Sequence, residues 1–150
     1  MASYIRQNLM DGEEVVDTAS IHWFVYVPGA ILTGAGLWAS AFFEQTIGML
    51  MFVMGVFLLV RALIIRRTTE IAVTSRRVMI KKGLIRRITM EMNHGRIESY
   101  NVDQSILGRI FGYGTLVVNG TGTGHEVIEM IDNPLEFRRK ALEVADRKPA

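Results

Sequence analysis

Two long apolar stretches, separated by three residues, constrain this chain more than any other feature of its sequence. The first, residues 21–43, carries no charge except a possible one on His22, and the second, residues 47–65, carries only Arg61. As α-helices they would measure about 34 and 28 Å, and the hydrocarbon core of a bilayer is about 30 Å thick. The sequence therefore predicts a transmembrane helical hairpin whose turn is Glu44–Thr46.

Two other interpretations fit the apolar stretches less well. Two all-apolar helices buried in a soluble protein would need a larger shell than a chain of 150 residues can build around them. A cleaved signal peptide is shorter and begins with basic residues, whereas the first stretch begins at Ile21 without a basic preface. A membrane anchor is therefore preferred.

The charges next to the two stretches predict how the hairpin crosses the membrane. Arg66 and Arg67 directly follow the second stretch, whereas the turn contains no lysine or arginine. Basic residues favour the cytoplasmic side of a membrane. We therefore expect a two-pass protein with the turn outside and both termini in the cytoplasm.

Four residues near the ends of the stretches are expected to act as interfacial anchors: Trp23, Tyr26, Trp38 and Arg61. Tryptophan and tyrosine rings favour the level of the lipid headgroups. Arg61 lies about one helical turn inside the cytoplasmic end, so its side chain is expected to snorkel to the headgroups. The alternative is an ion pair between Arg61 and an acidic group of another subunit.

Small residues recur along both stretches, and they are the expected sites of helix packing in the membrane: Ala30, Gly34, Gly36, Ser40, Gly48 and Gly55. Such residues let two helices approach closely. The contacts could form within one hairpin or between copies of the chain, and the spacing leaves both alternatives open. A homo-oligomer, or a complex with another membrane protein, is the expected form of assembly.

The composition excludes several kinds of chemistry. The chain has no cysteine and only three scattered histidines, so disulfides, thiolate nucleophiles and zinc–thiolate sites are excluded. No histidine has a second one at ligand spacing, and no set of nucleophile, base and carboxylate is recognisable. We expect neither enzymatic activity nor a metal or cofactor. No nucleic-acid-binding motif accompanies the basic residues, so nucleic acid is not an expected partner.

After the hairpin the pattern changes to short segments, rich in β-branched residues, that alternate polar and apolar side chains. Strands are predicted at residues 69–74, 77–82, 87–92, 96–102, 114–119 and 126–131, with a helical turn at 104–111. An amphipathic C-terminal helix is predicted from Asn133 and Pro134 onwards, with an apolar face of Leu135, Ala141, Leu142 and Ala145.

These patterns divide the chain into three parts. Residues 1–20 form a cytoplasmic lead-in with a short extended piece at residues 14–17, which is expected to pack on the membrane or on the later domain. Residues 21–65 form the transmembrane hairpin. Residues 66–150 form a cytoplasmic domain of antiparallel strands capped by one helix. The fold class is therefore a membrane α+β protein.

Several motifs resemble one bacterial family. The segment EIAVTSRRVMIKKGLIRR at residues 70–87, with residues 96–99, 104–115 and 133–138, is similar to the pleckstrin-homology-like (PH-like) family bPH2, formerly DUF304. The pairs Gly12–Glu13 and His22–Trp23 resemble its membrane-anchored members of the YdbS/YdbT type. The resemblance implies a half-open barrel of seven strands with a C-terminal helix, in a protein of the bacterial inner membrane. It implies little about activity, and lipid binding by eukaryotic PH domains is an analogy of fold alone.

Basic residues are concentrated between Arg66 and Arg96, where nine of them accompany two acidic residues. Eight are candidates for binding anionic phospholipid headgroups: Arg66, Arg67, Arg76, Arg77, Lys81, Lys82, Arg86 and Arg87. Because side chains alternate along a strand, the whole set cannot face the lipid at once. The alternative is a solvated strand face that only marks the cytoplasmic side.

The sequence leads to two hypotheses about function. The first is a non-enzymatic scaffold that assembles with itself or with another membrane protein, and the second is a sensor of anionic lipid headgroups. The glycine-rich loop at residues 120–124 is not interpreted as a phosphate site, because a strand rather than a helix follows it. Residues 108–114 are expected to shape a tight corner, where Arg109 and Tyr113 could line a groove.

Overall fold

The computed structural model describes residues 4–84, 88–121 and 124–146. The helices and strands in these ranges are α1 (Tyr4–Gln7), β1 (Val15–Ala19), α2 (Val27–Phe42), α3 (Gln45–Thr68), β2 (Glu70–Thr74), β3 (Arg77–Lys82), β4 (Ile88–Asn93), β5 (Ile97–Asp103), α4 (Ile106–Phe111), β6 (Tyr113–Gly120), β7 (His125–Asp132) and α5 (Pro134–Asp146). Two compact units result: a helical unit, Trp23–Arg67, and a sheet unit, Met1–His22 with Thr68–Ala150.

The helical unit contains the two long apolar helices that the sequence predicts. A short 3-10 helix, Trp23–Tyr26, leads into α2, and Pro28 occupies the first turn of that helix. By length and composition, the helical segments Trp23–Phe42, which includes the 3-10 helix, and Gln45–Thr68 are each able to cross a membrane. Only 11% and 17% of the residues in their most apolar windows are buried. Core helices of a soluble protein are mostly buried, so this exposure disfavours the buried-core alternative.

The turn between the two helices is shorter than predicted. Residues 44–46 were expected to form it, but α3 already begins at Gln45, and only Phe43 and Glu44 connect the helices. Glu44 explains the early start, because its side-chain carboxylate accepts a hydrogen bond from the Ile47 N–H at 3.4 Å. Its carbonyl oxygen also accepts one from the Gly48 N–H at 3.0 Å.

Glycines set the distance between α2 and α3. A Cβ atom added to Gly36 would lie 2.8 Å from the Cα of Phe52, and one added to Gly48 would lie 2.5 Å from the Cα of Ser40. A Cβ atom on Gly55 would lie 2.5 Å from the backbone nitrogen of Thr33. Real Cβ contacts are longer, so only glycine permits this approach.

The sheet unit contains two antiparallel sheets, with strand orders β1-β2-β3-β4 and β5-β6-β7. A bridge between Ile21 and Ile131 continues β1 onto β7 and so joins the two sheets on one side. The His22 N–H donates to the Met130 carbonyl at 2.6 Å, and the Asp132 N–H donates to the Ser20 carbonyl at 2.9 Å. The seven strands and the C-terminal helix of the described residues are compatible with the PH-like fold that the resemblance implies.

The lead-in belongs to this unit. Its strand β1 pairs with β2, so that Ala19 faces Ile71 and Thr18 faces Ala72. Ile21 and His22, which the apolar pattern assigned to the first membrane segment, also belong to the sheet unit, because both are bonded to β7. The two strands that form one edge of the first sheet are therefore separated in sequence by the whole helical unit.

The core of the sheet unit follows from the alternation along its strands. Inward-facing residues of both sheets are fully buried, among them Ile71, Val73, Leu116, Ile128 and Ile131. Helix α5 contacts β1 and β2 of one sheet and β5 and β6 of the other. On the opposite face of the first sheet, Ile5 of α1 packs on Ala72 and Met79.

The buried face of α5 differs from the predicted one. Pro134, Phe137, Ala141 and Val144 are buried, whereas Leu135 and Leu142 are exposed. Residues 134, 137, 141 and 144 follow the spacing of one helix face. The prediction overlooked Phe137, whose large side chain sets which face turns inward.

Candidate functional site

The lead-in and the β2–β3 turn meet in a buried charged network. The Arg77 side chain forms two hydrogen bonds with Glu13, from Nη2 to Oε2 at 2.9 Å and from Nε to Oε1 at 3.1 Å. Its Nη1 donates to Glu91 Oε2 at 2.6 Å, and Nη2 also donates to the Asn8 carbonyl at 2.9 Å. Arg77 is 7% exposed and Glu13 is 6% exposed. One guanidinium therefore joins the lead-in, β3 and β4.

Thr74 completes this network from the end of β2. Its hydroxyl lies 2.6 Å from Glu13 Oε1 and accepts a hydrogen bond from the Arg77 N–H at 3.0 Å. The Met10 N–H donates to the other Glu13 oxygen at 2.9 Å. Both carboxylate oxygens are thus satisfied by hydrogen-bond donors, as a buried charge requires.

The network shifts the pKa of both partners. Burial alone would raise the pKa of Glu13, but hydrogen bonds from Met10, Thr74 and Arg77, together with the Arg77 charge, lower it below its ordinary value of 4.5. The hydrogen bond to Glu13 in turn raises the pKa of Arg77. Both shifts favour the charged forms, so the pair is a permanent structural contact at neutral pH.

These contacts correct the interpretation of Arg77 as a headgroup ligand. Its guanidinium is buried and surrounded by Glu13, Glu91 and the Asn8 carbonyl. A lipid phosphate could reach it only by displacing these partners. Arg77 therefore joins the lead-in to β3 and β4 of the sheet unit.

Lys81 and Lys82 also bind within the chain. Lys81 Nζ lies 3.1 Å from Glu70 Oε1 and 5.3 Å from the centre of the Tyr4 ring. Lys82 Nζ donates to the Glu126 carboxylate and to the Val127 carbonyl, which tie β3 to β7 of the second sheet. Both side chains are less than one-third exposed, so their charges are largely committed to acidic partners of the same chain.

Three of the eight candidate cations are exposed in the described part of the chain. Arg76 is exposed at the β2–β3 turn, and Arg66 and Arg67 are exposed in the last turn of α3. The Arg66 guanidinium lies over the Tyr26 ring, 5.6 Å from its centre. Arg86 and Arg87 lie outside the described residues. Among the described residues, Arg66, Arg67 and Arg76 are therefore the headgroup candidates whose charge is exposed.

The expected packing residues fall into two groups. Gly36, Ser40, Gly48 and Gly55 lie at the contact between α2 and α3. Ala30 and Gly34 are exposed, and a Cβ atom added to Gly34 would meet nothing within 4 Å. The first group therefore packs the helix pair itself, while Ala30 and Gly34 lie on its outer surface.

The expected interfacial anchors are all at least partly exposed. Trp38 packs against Phe42 and Phe43, with ring centres 5.9 and 5.2 Å apart, near the end of α2. Trp23 packs against Phe24, with ring centres 5.7 Å apart. Arg61 is exposed on α3, as snorkelling requires.

The histidines lie apart from one another and make structural contacts. His22 is buried, with its ring centre 5.4 Å from that of Tyr113 and its Nε2 4.0 Å from Asp132 Oδ1. His94 Nε2 lies 2.9 Å from the Thr74 carbonyl, and His125 Nδ1 lies 2.8 Å from Asn119 Oδ1. No group of three possible metal ligands occurs among residues 4–84, 88–121 and 124–146.

Helix α4 presents an apolar surface that the sequence patterns did not single out. Ile106 is 80% exposed and Ile110 is 70% exposed, and Leu107 and Phe111 are also exposed. Arg109 is exposed on the same helix. The sequence signal was the segment ILGRIF itself: four large apolar residues in a helix of six residues leave too few positions for a polar outer face.

Comparison with protein families gives a match to one family model. The family model described as the bacterial PH domain, bPH_2, matches residues 23–144. This range includes both apolar helices, strands β2–β7 and most of α5, and it starts after β1. No curated protein and no solved structure matches the chain.

Proposed function

Because this chain belongs to the bacterial PH domain family, we propose that it is a non-enzymatic, membrane-anchored PH-like scaffold. Helices α2 and α3 form a transmembrane hairpin in the bacterial inner membrane, and the sheet unit lies in the cytoplasm. There it assembles with a second copy of itself or with another membrane protein.

The properties of the helical unit support the anchor. Its two helices pack through glycines, and large apolar side chains such as Leu50 and Phe57 remain exposed on the outside, 68% and 61% respectively. Lipid rather than water suits such a surface. Arg66 and Arg67 in the last turn of α3 support the cytoplasmic placement of that end.

The observation that carries the scaffold proposal is the open edge strand β4. It pairs with β3 on one side only, and within the described residues no strand pairs with its other edge. Its residues are exposed or half-buried along its whole length, and Ile88 is 52% exposed. Soluble proteins usually protect such an edge, and PH-like edges accept an added strand.

The internal ion pairs add to this argument. Arg77, Lys81 and Lys82 contact Glu13, Glu70 and Glu126 of the same chain, so these basic residues stabilise the fold instead of presenting a charged ligand site. A scaffold needs a stable shape with an accessible edge, and the sheet unit has both.

The mass of the full-length protein in nanodiscs, measured by native mass spectrometry, tests the proposal. We expect a discrete multiple of 16.9 kDa, or a monomer that co-purifies with one membrane protein. Ile88→Lys on β4 should abolish either complex, whereas Glu143→Lys on the exposed side of α5 should not. A monomer without a partner, or complexes that tolerate Ile88→Lys, would contradict assembly through β4.

A second candidate function, sensing anionic headgroups, is favoured by the exposed charges of Arg66, Arg67 and Arg76. Each cation near an anionic leaflet contributes about 1 kcal/mol. Replacing all three by glutamate should weaken the preference of the reconstituted protein for phosphatidylglycerol in native mass spectra. An unchanged preference would exclude the sensor.

A further inference from the structure

The apolar side chains of α4 are exposed in a rigid setting. The Ser105 hydroxyl accepts a hydrogen bond from the Gly108 N–H at 3.1 Å, which caps the start of the helix. Gly112 ends it with φ = 81°, a left-handed conformation that favours glycine. A Cβ atom on Gly108 would lie 2.5 Å from the Tyr113 carbonyl, so the helix packs tightly on β6. The helix is therefore held in place with its apolar residues outward.

The charge on α4 points to the kind of surface that covers it. Arg109 is the one charged residue of the helix. The nearest acidic residue in sequence is Asp103 at the end of β5, and it lines a groove together with Arg109 and Leu135. A symmetric contact between two copies through α4 would bring two Arg109 side chains together at an apolar interface, which is unfavourable. An anionic bilayer instead offers phosphates to Arg109 and a partly apolar layer to its neighbours.

The chain connections keep the sheet unit close to any membrane that holds α2 and α3. Only Thr69 separates α3 from β2. At the other connection, the 3-10 helix that begins at Trp23 directly follows His22, whose N–H is bonded to Met130 of β7. These two short connections give the bilayer a high effective concentration at the sheet unit. A small apolar surface is therefore sufficient for contact with the membrane.

We propose that α4 is a membrane-contact element that inserts Ile106, Leu107, Ile110 and Phe111 between the headgroups of an anionic bilayer, with Arg109 at the level of the phosphates. The inference rests on the membrane anchor proposed above but not on assembly through β4. This membrane contact is separate from headgroup sensing, because it places apolar side chains of α4 in the lipid, whereas sensing would depend on the charges of Arg66, Arg67 and Arg76.

The absence of cysteine allows a direct test with single-cysteine variants of the full-length protein. Ile110→Cys on α4 and Arg139→Cys on the exposed face of α5 each receive an environment-sensitive fluorophore. The proteins are reconstituted into vesicles of phosphatidylethanolamine and phosphatidylglycerol that contain a lipid with a nitroxide on its acyl chain. Because an interfacial helix lies about 5–10 Å into the headgroup–acyl boundary, we expect roughly threefold stronger quenching at position 110 than at position 139.

Each outcome of this test decides the proposal. Blue-shifted emission together with nitroxide quenching at position 110 supports membrane contact. Both the Arg109→Glu substitution and vesicles of phosphatidylcholine alone should reduce this quenching. Water-like emission at position 110 overturns it. Blue-shifted emission without nitroxide quenching also overturns it, because a protein surface, either a second copy or a partner, then covers α4. The mass of the same samples reports separately on assembly.

Discussion

At the scale of single residues, the guanidinium of Arg77 connects three segments of the sheet unit: the lead-in, β3 and β4. It contacts Glu13, whose position is 64 residues earlier in the chain, and Glu91 on the next strand. Its neighbour Arg76 has the same charge but is exposed. The pair Arg76–Arg77 therefore provides a matched comparison between a structural and a surface arginine.

Removing the buried member of this pair should destabilise the fold. Arg77→Ala leaves the Glu13 carboxylate buried without its cation, which costs about 3–5 kcal/mol. Arg76→Ala should change the free energy of unfolding by less than about 0.5 kcal/mol, as exposed substitutions usually do. Denaturant titration in detergent, with the exchange of the backbone amides of the sheet unit followed by mass spectrometry, measures both. Equal effects of the two substitutions would contradict the structural role of Arg77.

The lowered pKa of Glu13 predicts a specific pH dependence. Because its pKa is lower in the folded than in the unfolded chain, ionised Glu13 stabilises the fold above about pH 4.5, its ordinary pKa. This stabilisation is lost as the pH falls from about 4.5 through the lower folded-state pKa. Glu13→Gln should therefore be less stable than the natural protein at pH 7, and the difference should shrink in acid.

Thermal unfolding scans between pH 7 and pH 3 measure this convergence. Glu14→Gln is the control, because Glu14 is adjacent but exposed. A difference between Glu13→Gln and the natural protein that stays constant over this range would show that the carboxylate charge is not the stabilising factor.

At the scale of elements, the distance between α2 and α3 depends on residues without side chains. Gly48→Ala places a methyl group against the Ser40 backbone, whereas Gly34→Ala places it in open space. Overpacking of this kind costs about 1–3 kcal/mol. We expect Gly48→Ala to lower the thermal unfolding temperature of the protein in nanodiscs and Gly34→Ala to leave it unchanged.

The reverse result would have a clear meaning. If Gly34→Ala destabilised the protein or lowered the mass of its oligomer, the outer surface of α2, where Ala30 and Gly34 lie, would be a contact between chains. Tolerance of Gly48→Ala would show that the helices are not packed as closely as the contacts of Gly36, Gly48 and Gly55 indicate.

Local patterns in the sequence were sufficient to predict most elements. The strands at residues 70–74, 77–82 and 113–120 follow from β-branched residues in alternation, and the start of α5 follows from Pro134. These features depend on neighbours in the chain. Alternation also indicated that the eight basic residues cannot all face outward, and of the pair Arg76 and Arg77 only Arg76 is exposed.

Features that depend on distant residues could not be predicted in this way. The burial of Arg77 depends on Glu13, and the start of the helical unit after His22, rather than at Ile21, depends on the contacts of Ile21 and His22 with β7. Neither partner is marked in the local sequence. The exposed surface of α4 was missed for a different reason: an apolar helix of six residues looks like core until the packing around it is known.

At the scale of the whole molecule, the orientation of the anchor can be measured with two cysteines. Thr46→Cys lies next to the connection between α2 and α3, and Arg139→Cys lies on the exposed face of α5. With the predicted orientation, a membrane-impermeant maleimide should label position 46 in intact spheroplasts and position 139 only after permeabilisation. Labelling in the opposite order would reverse the proposed topology.

The pairing of β1 with β2 links the folding of the sheet unit to the biosynthesis of the helices. The ribosome completes β1 before either helix, and β2 emerges only after both. If the helices cross the membrane as proposed and insert as a pair, the two strands end on the same side of the membrane and can meet. When only one helix inserts, β1 and β2 are on opposite sides, and the first sheet lacks its edge strand together with the Glu13–Arg77 pair. In the proposed topology, an insertion error thus becomes a folding error.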